Sequence, residues 1–392
     1  MIVLNKIYTK TKDNKILFCA NVTINNVESE LWFSTQEEYS NYISLTNGDS
    51  FILLLFVYAV FNDLDFESKV PISKRLHYGL LAILLPSFQK MKFKTNTNKF
   101  KFSAIDNTVY TEANASGTAM SFGVDSFYTF LKQQDSNMPI DYLTLFNAGG
   151  YGQYGGDKAR ELFDHMAQKA AIFAKQNDLK VLTVDTNWNE ILQMPFVKTH
   201  TFRNFACVLV FQKLFKNYYY ASGLTLSSFA LNPNDPAYYD IVNVKAIAGN
   251  ALEFFISGLN EGRLEKTKYI ADQQLTYNNL NVCYFTPDSL KSLTNDKLFK
   301  NCSKCYKCVR TMVTLDVLGK LELYKNIFDL DIYNKNKEIY LAEILYQKLR
   351  TSSIFSSEIL DQMKLNNYEY SPKVYFCLVK KIIGVIVYKF KK

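Results

Sequence analysis

Two stretches of this 392-residue chain carry residue types that could do chemistry. The first is Ser121-Phe122-Gly123-Val124-Asp125-Ser126, read as a strand running into a tight loop and then a helix. Such a loop points backbone N–H groups and two hydroxyls at one spot, at the positive end of a helix dipole. That geometry suits a phosphate. The Walker pattern needs a lysine before its Ser/Thr; none lies between Ser121 and Ser126, and Asp125 stands in the loop instead. The second stretch is Cys302-Ser303-Lys304-Cys305-Tyr306-Lys307-Cys308, where two successive C-x-x-C steps can aim three thiolates at one point. A ferredoxin-type run would continue with a fourth cysteine and a proline, but Met312 and Val313 occupy those places. Tetrahedral zinc remains, and it wants a fourth ligand. Cys283 is the best candidate, while Cys19, Cys207 and Cys377 read as core residues. Four cysteines would close the site, making the zinc structural.

Ser121-x-Gly123-x-Asp125-Ser126 resembles the PP-loop, commonly Ser-Gly-Gly-x-Asp-Ser, of the ATP pyrophosphatase superfamily. It departs from the pattern at Phe122, where glycine is usual. The resemblance implies an adenine nucleotide alpha hydrolase-like fold and cleavage of ATP between its α and β phosphates. A substrate is adenylated and pyrophosphate leaves. Ser121, Gly123, Asp125 and Ser126 would hold the phosphates, with Mg²⁺ bridging them. Downstream, Cys302-x-x-Cys305-x-x-Cys308-x-Arg310 is similar to the 7-cyano-7-deazaguanine synthases, in which an upstream cysteine completes a zinc site. Here Cys283 precedes Cys302 by a longer connection than in that family. The likeness covers residues 115–320, about half of the chain, so a shared substrate is not expected. Asp125, Ser126 and Arg310 are the catalytic candidates it leaves, with Arg263 as a further cation. Arg310 falls in the first turn of a helix, where the dipole disfavours a cation unless an anion faces it.

The elements that must position these residues begin at 109. Strands are expected at 115–121, 141–147, 179–185 and 217–222, with helices at 125–134, 157–177 and 200–216. The alternation predicts an α/β fold with a doubly wound parallel sheet, its ligands outside the C-terminal ends of the strands. Asn147 and Asp185 end two of those strands and are candidate nucleotide contacts. Residues 1–108 read as an accessory α+β domain: strands across 5–34 with a turn at Asp13-Asn14, a Thr35-x-x-Glu38 capping box, helices at 50–61 and 73–88, and a basic hairpin over 91–102. Residues 109–325 form the nucleotide-binding domain with the zinc site, and 326–392 a helical extension.

Gly150-Tyr151-Gly152-Gln153-Tyr154-Gly155 supports a rival reading. It matches the dinucleotide fingerprint, and Asp185 ends the next strand, as in a Rossmann-type NAD(P) oxidoreductase. Two features oppose it: the loop is long before its helix, and Asp185 follows Gly155 by more than the expected ~20 residues. A mobile glycine loop fits better. A non-catalytic zinc- and nucleotide-binding module is the third reading.

Composition bounds the choice. A hydrophobic content of 48% is ample for real cores, and a net charge of +8 permits an anionic ligand without demanding nucleic acid. The N-terminus lacks a secretory pattern, and the apolar run 51–61 is about half of what a spanning helix needs. A soluble, cytoplasmic protein acting on a small-molecule acceptor is expected. A homo-oligomer and weak peripheral membrane contact through the basic, apolar segment 374–392 are both compatible with the sequence.

Overall fold

The computed structural model describes residues 1–283 and 300–390. They form two compact units, Met1–Met120 with Lys132–Ser257, and Ser121–Leu131 with Gly258–Lys392.

The first unit is α/β. Its strands are β1 (Ile2–Lys12), β2 (Lys15–Ile24), β3 (Val27–Gln36), β4 (Phe66–Ser68), β5 (Ile72–Ser73), β6 (Phe100–Phe102), β7 (Ile105–Asp106), β8 (Ala115–Ala119), β9 (Tyr142–Phe146), β10 (Lys180–Thr186), β11 (Phe215–Ala221) and β12 (Glu253–Ser257). Ten of them make one sheet in the order β12-β11-β8-β9-β10-β3-β2-β1-β4-β6, and β5 pairs with β7 apart from it. Six of the nine pairings in the large sheet are parallel. This is compatible with a doubly wound fold. Along β10-β9-β8-β11-β12 the chain runs outward one way from β8, then returns to its other side. The reversal beside β8 is the position at which open α/β sheets bind ligands.

The expected strands and helices from 109 onward are all present, with helices Val124–Gln134, Asp157–Gln176 and Phe196–Leu209 between the parallel strands. The last of these ends earlier than its pattern suggested, because Phe215 already enters β11. Residues 1–108 join the same sheet: β1 to β3 form an antiparallel meander whose β3 pairs with β10 through Ser34 and Phe33. Its two hairpin turns hold Asp13-Asn14 and Asn25-Asn26 at φ values of 52°, 56°, 49° and 68°. Positive φ at both turn residues matches the strand twist, and Asp and Asn tolerate it. The apolar helix Asp49–Phe61 is buried on every side, with Phe18 and Phe33 rings 5.0 and 4.9 Å from Phe51. Buried all round, it needs no amphipathic pattern.

Two local expectations are corrected. The 91–102 segment is not a hairpin: β6 pairs parallel to β4, drawn there by Phe100, whose ring lies 4.5 Å from Phe56. The Thr35 capping box does not form, since Glu37–Tyr42 is a short 3-10 turn whose N-cap is Gln36, with no side-chain cap.

The second unit is helical among its described residues. It holds the opening turns of the Val124–Gln134 helix together with Arg263–Ala271, Tyr306–Val317, Leu330–Thr351, Ile354–Leu365 and Lys373–Phe390. Asp329 and Ser353 cap two of these by accepting from Ile332 N–H and Ser356 N–H at 2.9 and 3.3 Å. No described helix is long and apolar enough to cross a membrane.

Candidate functional site

The 121–126 loop belongs to the second unit and leads directly into the Val124–Gln134 helix. Ser121 Oγ and Ser126 Oγ lie 3.2 Å apart, Gly123 N–H donates to Ser121 Oγ at 3.3 Å, and Ser126 Oγ donates to Gly123 O at 3.0 Å. Both hydroxyls thus meet at one helix N-terminus, where partial positive charge favours an anion. Phe122, the departure from the PP-loop pattern, adopts φ 59°. A bulky residue there costs about 1–2 kcal/mol. Its ring is fully buried, 5.9 Å edge-on to Phe127, which offsets that strain while Ser121 stays exposed. The Phe122 carbonyl accepts from Asn281 N–H at 2.8 Å.

That hydrogen bond ties the loop to the cysteines. Asn301 is buried, and its Oδ1 accepts from Val282 N–H and Cys283 N–H at 2.8 and 3.2 Å, while its Nδ2 donates to Leu280 O at 2.9 Å. This staple presents Cys283, the expected fourth ligand, to the cluster. Its Sγ lies 4.0 Å from Cys305 Sγ, with Cys305 to Cys308 at 3.4 Å and Cys302 to Cys308 at 3.7 Å. All four ligand atoms fall within 4.8 Å of one another. A tetrahedral zinc with Zn–S of about 2.3 Å sets its sulfurs about 3.8 Å apart, so the cluster could hold a metal such as zinc. Hydrogen bonds from Cys283, Cys305 and Cys308 hold the Cys302 thiol well below the ordinary range. The same hydrogen bonds raise the Cys283 and Cys308 thiols, so the cluster shares its negative charge, and a metal bound by thiolates would displace the remaining protons.

Cys305 is the N-cap of the Tyr306–Val317 helix, so the cluster fixes where that helix starts. Lys307 falls in its first turn and Arg310 one turn further in, rather than in the first turn as expected. Arg310 is 7% exposed, with its guanidinium 4.3 Å from the Phe355 ring. Arg263 approaches the same ring at 5.3 Å and donates from Nη2 to Asp125 Oδ2 at 2.6 Å. Lys266, almost fully buried, lies 3.8 Å from Asp125 Oδ1. Burial lowers the Lys266 and Lys307 ammonium pKa values, and nearby arginines lower them further. Glu358 accepts from Leu264 N–H at 2.9 Å; burial raises its pKa, while the charges of Arg263 and Arg310 act to lower it. A Cβ at Gly262 would come within 2.3 Å of its Oε1, which explains the glycine. Four cations therefore gather around Asp125 at the helix N-terminus, with Glu261 and Glu358 also near enough to act on them. Arg263 Nε and Asp125 Oδ1 have no hydrogen-bond partner among the described residues. Buried like charges around one aromatic ring repel, and an anion between them would relieve that cost.

Asn147 and Asp185, the other expected contacts, lie in the first unit and meet each other there. Asn147 Nδ2 donates to Asp185 Oδ1 at 2.7 Å, and Arg160 Nε donates to Asp185 Oδ2 at 3.2 Å. Asp185 is thus engaged by protein donors where a dinucleotide site would offer it to ribose hydroxyls. The glycine loop follows β9, the second strand of the parallel run that begins at β8, whereas the fingerprint belongs to the first strand–helix turn. Arg203, fully buried, pins that loop by donating from Nη1 to Ala148 O at 3.2 Å and Gln153 O at 3.3 Å. A Cβ at Gly149 would meet Arg203 Nη1 at 2.2 Å. Gly152, where a Cβ would meet Ala159 Cβ at 2.9 Å, and Gly155, at φ 74° beside Glu190, have local structural reasons of the same kind.

Lys266, Lys307, Phe355 and Glu358 were not expected from the sequence. Lys266 and Lys307 lie on two separate helices, and Phe355 and Glu358, one turn apart on a third, have no spacing that links them to the loop. No protein-family model matches the chain, and neither does any curated protein or solved structure.

Proposed function

We propose that the chain is an ATP-dependent adenylating enzyme of PP-loop type. It forms AMP and pyrophosphate while activating a small-molecule or sugar-like acceptor for attack by an amine or ammonia. The observation that carries this reading is the gathering of Arg263, Lys266 and Lys307 around Asp125, with Arg310 sharing the Phe355 ring with Arg263, at the helix N-terminus where the Ser121 and Ser126 hydroxyls meet. Departing pyrophosphate is a compact polyanion, and charge developing on it is what such donors stabilise. Ser121 and Ser126 would orient the phosphates through their hydroxyls, and the Gly123 backbone would approach them closely. Arg263 and Arg310 would neutralise charge on the leaving group. Magnesium, which bridges phosphates in such reactions, would be drawn by Asp125 Oδ1, which accepts no hydrogen bond among the described residues although the Lys266 ammonium lies 3.8 Å away. Zinc in the Cys283, Cys302, Cys305 and Cys308 cluster would be a closed, structural site, setting the start of the helix that carries Lys307 and Arg310.

The products of ATP distinguish this reading from a nucleotide-binding module without catalysis and from an oxidoreductase. Protein incubated with labelled ATP, magnesium, ammonia and a small-molecule cell extract as acceptor pool should form AMP and pyrophosphate. The Ser121→Ala/Ser126→Ala variant should form much less. ADP as product, or AMP formation unaffected by that variant, overturns the proposal.

A further inference from the structure

The Lys373–Phe390 helix carries an apolar face that nothing in the second unit covers among the described residues. Its inner side, with Val374 and Leu378 buried, packs on the Leu330–Thr351 helix, and Lys381 is ion-paired with Glu343 there. On the opposite side Phe376 is 72% and Ile383 54% exposed, and Val379, Ile386 and Val387 are about half exposed. At 100° per residue these five fall within an arc of about 100°. Exposed Lys373 and Lys380 border that arc on one side and exposed Tyr375 on the other. An apolar stripe of this width, running along most of a packed helix, should be hidden in a water-soluble fold.

We infer that this face docks on an anionic membrane surface, with the helix lying in the interface plane. The occupant is chosen by charge. From Lys373 to Lys392 the sequence holds six lysines and no acidic residue. Two copies of the helix paired through this stripe would set lysine beside lysine, whereas anionic headgroups complement Lys373 and Lys380 at its border. The apolar arc supplies burial at the level of the headgroup–acyl boundary, and the bordering lysines and Tyr375 match the polar rim that interfacial helices show. Such attachment is peripheral and reversible, in keeping with a helix that does not span.

The test uses the full chain with vesicles of equal parts phosphatidylcholine and phosphatidylglycerol, against vesicles of phosphatidylcholine alone. Wild-type protein should float with the anionic vesicles and remain with neither neutral lipid nor, at high salt, the anionic ones. Phe376→Ser/Ile383→Ser, which alters only exposed positions, should lower partition about tenfold or more while urea unfolding stays unchanged. Lys373→Gln/Lys380→Gln should lower it less and weaken its salt dependence. Flotation that is absent in the wild type, or equal in the serine variant, overturns the inference. So does a concentration-dependent dimer that the serine variant abolishes, since it would make a second copy the occupant.

Discussion

Arg263 Nη2 donates to Asp125 Oδ2 at 2.6 Å, joining a loop residue to a helix that begins well over a hundred residues later. The pair is largely buried, and it gives the two residues different roles. Arg263→Gln removes a cation and leaves the Asp125 carboxylate facing the phosphates, so metal-free pyrophosphate should bind more than about tenfold less tightly. Asp125→Asn removes a negative charge from the same place. It should bind metal-free pyrophosphate at least as well as wild type, yet lose turnover in magnesium. Calorimetric titration of both variants separates the two. If Asp125→Asn weakens metal-free binding as much as Arg263→Gln does, the carboxylate serves only to hold the arginine.

The cysteine cluster should hold about one zinc per chain, measured by elemental analysis of purified protein. Cys305→Ser should lose it and destabilise the fold, because such a site forms together with the structure around it. Cys19→Ser and Cys377→Ser should keep the metal. Asn301→Ala removes no thiol but frees Val282 and Cys283 N–H, and it should lower zinc affinity measurably. Full zinc occupancy in Cys283→Ser would remove that residue from the ligand set.

Phe122 weighs backbone strain against burial. Replacing it by glycine relieves about 1–2 kcal/mol of left-handed strain but gives up a fully buried ring worth about 3–5 kcal/mol. Phe122→Gly should therefore lower stability by ~2 kcal/mol in urea unfolding, with ATP binding retained in the folded protein. A variant more stable than wild type would show that the ring contributes little.

Asp49 sets a pH dependence in the first unit. It is fully buried, accepting from Ser73 N–H at 2.8 Å and Gln212 Nε2 at 3.3 Å, and burial pushes its carboxyl up to about 7. The folded state then holds this proton more tightly than the unfolded chain, whose aspartate titrates near ~3.9. Stability from this group is full below that unfolded value and is lost as pH rises through the folded one. Urea unfolding should show lower stability at pH 8 than at pH 5, and Asp49→Asn should flatten that slope. A slope unchanged by Asp49→Asn assigns it to other groups.

The fold from 109 onward was legible because strand-like and helix-like segments alternate cleanly, the strands short and mostly rich in apolar and aromatic residues, as in β9. The cysteine spacing was legible because metal ligands recur at fixed short intervals. Arg203 was not, since one arginine on a helix reads as solvated until the backbone carbonyls it ties are in place. Lys266 and Lys307 were hidden for a related reason: their convergence on Asp125 comes from packing between helices, which no local pattern encodes. Phe122 could be flagged only as a departure, because nothing in sequence tells which way a left-handed residue turns its ring. The union of residues 1–108 with the parallel strands rests on a short β3–β10 ladder, too brief to leave a signature.

Binding of ATP tests the central claim most directly, because it requires no acceptor. Equilibrium dialysis of labelled ATP with the full chain should give saturable binding near one per chain, displaced by pyrophosphate and not by NADH. Arg263→Gln should weaken it about tenfold or more, and Ser126→Ala less, since one neutral hydrogen bond is worth ~0.5–1.5 kcal/mol. Binding untouched by either substitution, or displaced by NADH, would contradict the assignment of the 121–126 loop as the phosphate site.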